Sequence, residues 1–187
     1  MPLAAENPCL ALGYRRSSPQ TTRHLGNAGS DVIQAYKAPA QTDRAYYLQW
    51  AAGFATAVAI SNKITDVLPT ADTLDLVDMS ILICREHDQP GYRWKDAVLE
   101  SIARLKPFWS TEPTTTIINY DGKSAKIYQQ AIQPLQKLLA ARGFTVKPDG
   151  TFGNQTGQAL MLANKSLGLP PSPFPNGVIY YYLTNGK

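Results

Sequence analysis

The stretch KPDGTFGNQTGQAL, residues 147–160, decides how the second half of the chain is read. Asp149-Gly150 is a turn pair, Phe152 is an apolar residue expected to pack inward, Gly153 relaxes the backbone, and Asn154 is a residue type that caps helices. Helical spacing then begins at Thr156 and continues through Ala159, Leu160, Ala163 and Leu167 to Gly168. Upstream, Pro134 suits the first turn of a helix carrying Leu135, Leu138 and Leu139. That helix ends at Gly143, in the place after a helix where glycine is favoured. The stretch is thus expected to turn the chain from one amphipathic helix into a second. A proline-rich loop, LPPSPFPNG, then leads to a short aromatic end at residues 178–183.

The first half also reads as helical. Residues 45–62 carry no charge, and Tyr47, Trp50, Ala51, Phe54, Ala55 and Val58 follow the steps of one helical face, with Thr42 or Asp43 as cap. Gln49, Thr56, Ser61 and Asn62 make this segment a poor membrane span, so none is expected. Asp72 opens a second helix with Leu74, Val77, Ile81 and Cys84 on one stripe. Asp72, Asp75 and Asp78 near its start are expected to complement the helix dipole rather than to hold a cation. A third helix runs from about Arg93 to Lys106 on Trp94, Ala97, Val98, Ile102 and Leu105, and stops at Pro107. Residues 1–40 have no sustained period and read as an irregular arm with at most a short helix near residues 30–36. Residues 109–122, WSTEPTTTIINYDG, read as a linker that holds at most a short strand at residues 117–120.

The resulting fold class is all-α, with two small helical domains at 41–108 and 123–187. Charge divides at the same place. The 187 residues sum to +4, but residues 123–187 hold seven basic groups against the single acid Asp149, which makes that part +6 and the remainder −2. A basic unit of this kind suits an anionic partner such as nucleic acid, an acidic membrane surface or a carboxylate-rich cell wall. No nucleic-acid motif or ordered Lys/Arg stripe is present, so nucleic acid is not expected.

Two cysteines, Cys9 and Cys84, lack Cys-x-x-Cys spacing and read as one disulfide or two buried thiols. A bridge closing so long a loop contributes on the order of 4 kcal/mol, which favours the disulfide and an oxidising compartment. The first twenty residues have no apolar run after a basic start, so no secretory signal is read there.

At residues 135–169 the sequence resembles the type 1 peptidoglycan-binding family. The family's pattern appears as Leu135-Gln136, Gly143, Asp149-Gly150-Thr151-Phe152-Gly153-Asn154-Gln155-Thr156 and Gly168-Leu169. It departs at Ala163-Asn164, where an aromatic-Gln pair is usual, and in a longer proline-rich loop. The resemblance implies a three-helix module that binds peptidoglycan. The residues expected to form its site are Arg142, Lys147, Asp149, Phe152, Gly153, Asn154 and Thr156, with Tyr180, Tyr181 and Tyr182 as an apolar wall. The first half, at YYLQWAAGFATAVAIS, ICREHDQP and DAVLESIARL, more faintly resembles a helical periplasmic family of type VI secretion amidase immunity proteins and acid-stress chaperones. That resemblance implies a bridge at Cys84, for which Cys9 would have to serve, and a protein partner for residues 41–108.

Catalytic parts are scarce. His24 and His87 are the only histidines, too few for a His-rich zinc site, and no metal is expected. Cys84 lies one turn from His87 but near a helix end, the wrong setting for a thiolate nucleophile. Glu86 and Glu100 are weak candidates for a glycosidase acid, with Glu86 at a polar, solvated helix end. No Gly-x-Ser-x-Gly or phosphate loop occurs, and no cofactor is expected. The preferred reading is a non-catalytic, periplasmic or secreted envelope protein that docks on peptidoglycan through residues 123–187 and engages a protein partner through residues 41–108. The alternative is a peptidoglycan hydrolase with its catalytic part in the first half.

Overall fold

The computed structural model describes Cys9 and residues 41–70, 72–87 and 91–185. Apart from Cys9, the arm at 1–40, its short helix and His24 lie outside the described residues. Helix α1 (Gln41–Asn62) presents two adjacent rails. Tyr47, Ala51, Ala55 and Ala59 are buried one turn apart, and Trp50, Phe54 and Val58 flank them half-buried. The small alanines let α1 lie close on its neighbour, while the Trp50 and Phe54 rings stack at 5.2 Å along its edge.

Helix α2 (Thr73–Glu86) is the centre of the molecule. Asp72 caps it, accepting from the Leu74 N–H at 2.9 Å. From Leu76 to Cys84 nearly every side chain is buried, the mark of a helix surrounded on all sides. It packs against α1, helix α3 (Trp94–Arg104) and the last helix of the chain. Leu74, expected on the apolar stripe, is instead exposed, because the stripe turns inward only after the first turn. On α3 all five expected core positions, Trp94, Ala97, Val98, Ile102 and Leu105, are buried. The Ser80 and Ser101 hydroxyl oxygens meet 2.8 Å apart between α2 and α3. A short 3₁₀ turn, Lys106–Phe108, carries the chain past Pro107. The sulfurs of Cys9 and Cys84 are bonded, tying the arm to α2 across 75 residues of sequence.

The segment read as a linker contains half of a hairpin. Strands β1 (Thr115–Tyr120) and β2 (Lys123–Tyr128) pair antiparallel, Thr115 opposite Tyr128 and Tyr120 opposite Lys123. Asp121 and Gly122 form the two-residue turn with φ of 48° and 72°, the left-handed pair that fits the twist of adjoining strands. Among the described residues the fold is therefore mostly helical with one small sheet, and all-α describes it only approximately.

Helix α4 (Gln129–Ala141) starts directly from β2, five residues before Pro134. Pro134 thus sits inside the helix rather than in its first turn, where it offers no N–H to the carbonyl one turn back. Helix α5 (Asn154–Ser166) follows; Gly153, not Asn154, occupies the position before its first turn, so no side chain caps it. Helix α6 (Gly177–Thr184) ends the described chain, its start capped by Asn176 accepting from Ile179 N–H at 3.0 Å. It packs chiefly on α2 and also touches α3, α4 and α5. One hydrophobic cluster therefore runs from α1 to α6, with the Phe108 and Tyr180 rings edge to face at 5.0 Å between residues of the two halves. Among the described residues no helix is long and apolar enough to cross a membrane.

Candidate functional site

Both helices of the expected module stop in the same way. After α4, Gly143 at φ +88° donates to Ala140 and Phe144 donates to Leu139. After α5, Gly168 at φ +71° donates to Lys165 and Leu169 donates to Asn164. Each is a paired closure of the last carbonyls that needs a left-handed residue, which explains glycine at both places.

The loop between them is held by a row of glutamines on α4. Gln129 donates to the Gly150 carbonyl at 2.9 Å and Gln133 to the Pro148 carbonyl at 3.2 Å. Buried Gln136 accepts from the Gly150 N–H at 2.8 Å, and its amide nitrogen donates to the Thr151 carbonyl at 2.9 Å and the Thr156 hydroxyl at 3.0 Å. Asp149 closes the turn by accepting from Thr151 N–H at 2.9 Å. That backbone donor, helped by Gln136 and Lys147, holds its carboxyl below the ordinary range despite some desolvation. Of the three glutamines only Gln136 carries a sequence signal, as half of the Leu-Gln pair. Gln129 and Gln133 gave none, because glutamine is equally at home on an exposed helix face.

The expected binding residues are thereby sorted. Lys147, Asp149, Gly153 and Asn154 are exposed together on the loop and the start of α5, with Phe152 half-buried beneath them. Lys147 N–H donates to the Gln155 side chain at 3.2 Å, and the first turn of α5 has no side-chain cap. Thr156 is buried and serves Gln136. Tyr120, at the hairpin tip, lies over the same helix, its ring 3.1 Å from where a Cβ on Gly157 would stand.

The other four belong elsewhere. Arg142 donates to the Tyr182 carbonyl at 2.7 Å and to the Asn185 carbonyl, and lies 4.6 Å from the Tyr182 ring centre, so it closes the C-terminal end of α6. Tyr182 is half-buried in that contact, while Tyr180 and Tyr181 are wholly buried. The aromatic end is core instead of an open wall. An eight-residue helix with Val178, Ile179, Tyr180, Tyr181 and Leu183 is apolar around most of its surface and must be enclosed.

Glu86 and Glu100 do come together, and neither is freely solvated. Arg104 Nη2 donates to Glu86 at 2.9 Å and to Glu100 at 2.6 Å. Tyr92 donates its hydroxyl to Glu100 at 2.8 Å, His87 Nε2 is 3.1 Å from the same carboxylate oxygen, and Asn185 donates to Glu86 at 2.8 Å. Partial burial opposes ionisation of Glu100, but the Tyr92 and Arg104 donors outweigh it and hold the carboxyl below its ordinary value. That is the reverse of what a glycosidase acid requires. Donor atoms of Glu86, His87 and Glu100 lie within 4.8 Å of one another, yet the carboxylate oxygens are engaged and the Arg104 guanidinium bridges them. A cation would have to displace it. Compared with known proteins, the chain matches no family model, no curated protein and no solved structure.

Proposed function

We propose that this is a non-catalytic bacterial envelope protein, periplasmic or secreted, that docks on peptidoglycan through the loop at 147–154 and meets a protein partner through its first half. The observation that carries this reading is the loop's fixation by Gln129, Gln133 and Gln136, which presents Lys147 and the uncapped start of α5 on one exposed surface. Ammonium and helix-start amides suit carboxylates, and the peptide stems of the wall carry them. The Cys9–Cys84 disulfide supports an oxidising compartment. For the partner surface, support comes from α1, where Trp50, Phe54 and Val58 are only half covered and Ile60 is 72% exposed.

Cosedimentation with purified sacculi tests the reading. The full chain is expected to pellet at low salt and to be released as salt rises. Recovery entirely in the supernatant at low salt would refute the docking. Zymography on the same sacculi tests the non-catalytic part, with no clearing expected.

A further inference from the structure

The seat of α6 on α2 is unusually close and is built around one carboxyl. A Cβ placed on Gly177 would lie 2.2 Å from the Asp75 carbonyl oxygen, so the start of α6 meets α2 backbone to backbone. In that contact the Gly177 N–H donates to Asp75 Oδ1 at 2.9 Å, and the Thr70 hydroxyl donates to Oδ2. Asp75 is buried, although the sequence places it among first-turn acids expected only to complement the helix dipole. The groups that act on it are the carboxylates of Asp72 and Asp78 from its own helix, Thr70 from the loop before it, and Gly177 from α6. Tyr180 of α6 is influenced by Asp75 in turn, and its buried hydroxyl has no hydrogen-bond partner among the described residues.

We infer that α6 is a strap latched to α2 through Asp75, seated in acid and loosened in alkali. A neutral carboxyl keeps the Gly177 contact at little cost. An ionised one must sit in a desolvated seat with Asp72 and Asp78 beside it, offset in part by the Gly177 N–H, the Thr70 hydroxyl and the dipole of α6. Unseating α6 returns the charge to water.

The direction follows from linkage. Burial foremost, against the Thr70 donor and together with Asp72, pushes the Asp75 carboxyl from 3.8 up to about 7. A group raised in the seated state favours that state fully below its ordinary value and loses the advantage as pH rises through the raised one. The unseating equilibrium therefore grows about thirtyfold between pH 5.5 and 8.5 and levels off above that. Tyr180 is pushed well above 10 by burial and stays neutral throughout.

Hydrogen exchange on the full, oxidised chain tests this, with rates corrected for the intrinsic effect of pH. Protection of the amides in residues 178–184 is expected to fall about thirtyfold from pH 5.5 to 8.5. Residues 156–164 in α5 should change far less, and Asp75→Asn should flatten the response of α6. Equal responses of α5 and α6, or an unaltered response in Asp75→Asn, overturn the inference. Should that variant not fold, carbon NMR of the Asp75 carboxyl in the unaltered protein decides. A midpoint in the ordinary aspartate range overturns the strap, and a midpoint that rises further in Thr70→Val supports it.

Discussion

The loop at 147–154 and helix α6 are both short, and both are expected to contribute to one site. They are held at opposite ranges. The loop's bonds reach back to α4 over 14 or 15 residues for Gln133 and Gln136, and over 21 for Gln129. The bonds of α6 span 102 residues from Gly177 to Asp75, 99 from Asn185 to Glu86 and 40 from Tyr182 to Arg142. Locally fastened chain can stay at the surface and present side chains. Chain fastened from a distance is here drawn into the core, and its side chains are spent on packing.

The sharpest way to break this contrast is to remove volume from each region. Tyr180 is fully buried against Phe108, and Tyr180→Ala is expected to lower unfolding stability by about 4 kcal/mol in urea denaturation. Phe152→Ala, in the half-buried loop, should cost about 1–2 kcal/mol. Because the Tyr180 hydroxyl has no hydrogen-bond partner among the described residues, Tyr180→Phe is expected to be neutral or stabilising. A large loss in Tyr180→Phe would show that the hydroxyl is bonded, and a small one in Tyr180→Ala that α6 is not core.

Glycines give the next comparison. At Gly177 an added methyl meets α2 backbone at 2.2 Å, which cannot yield without lifting α6, so Gly177→Ala should cost about 3 kcal/mol or more. At Gly157 the nearest atoms, 3.1 Å away, belong to the Tyr120 ring, which can shift with the hairpin tip. Gly157→Ala is expected to cost about 1 kcal/mol, part of it returned as helix propensity. Similar losses at both positions would mean that α6 is seated no more tightly than the hairpin.

What the sequence makes legible follows the same division. Helices α1 to α3, their core stripes and the two glycine closures rest on spacing and on conformations that only certain residues adopt, and such signals are local. The start of α4 is hidden because Pro134 looks like a first-turn residue, whereas β2 feeds straight into the helix at Gln129. The hairpin is half legible, since Asp121-Gly122 marks a turn but β2 has too few buried positions to announce a strand. Arg142, Tyr180 and Tyr181 read as surface residues because nothing near them in sequence reveals a partner on α2 or at the end of α6. Asp75 was hidden for the same reason. A first-turn acid has a sufficient local explanation, and the Gly177 N–H that Asp75 accepts from lies 102 residues away.

Gln136 sharpens the account of the loop. Replacing it with Ala leaves the Gly150 N–H and the Thr151 carbonyl without their side-chain partner. A loss of about 2 kcal/mol is expected in denaturation, since a buried polar residue serving several groups is removed at once. Proteolysis should then find residues 147–153 before it finds α6. Cleavage first near residues 168–176 would mean that the glutamine does not govern the loop.

The smallest effect on stability is expected at Lys147, and it separates presentation from packing most cleanly. Lys147 is exposed and its backbone, rather than its ammonium, makes the bond to Gln155, so Lys147→Ala should change unfolding stability by less than about 0.5 kcal/mol. Arg142 is also basic and only five positions away, but its guanidinium donates to two carbonyls at the end of α6, and Arg142→Ala should cost about 2 kcal/mol. If Lys147 supplies the charge that meets the wall, its replacement weakens sacculus binding and reduces the salt dependence, with circular dichroism and denaturation unchanged. Arg142→Ala, tested where it is still fully folded, should bind sacculi as the unaltered protein does. The reverse pattern, binding lost with Arg142→Ala and kept with Lys147→Ala, would move the docking surface from the loop to the end of α6.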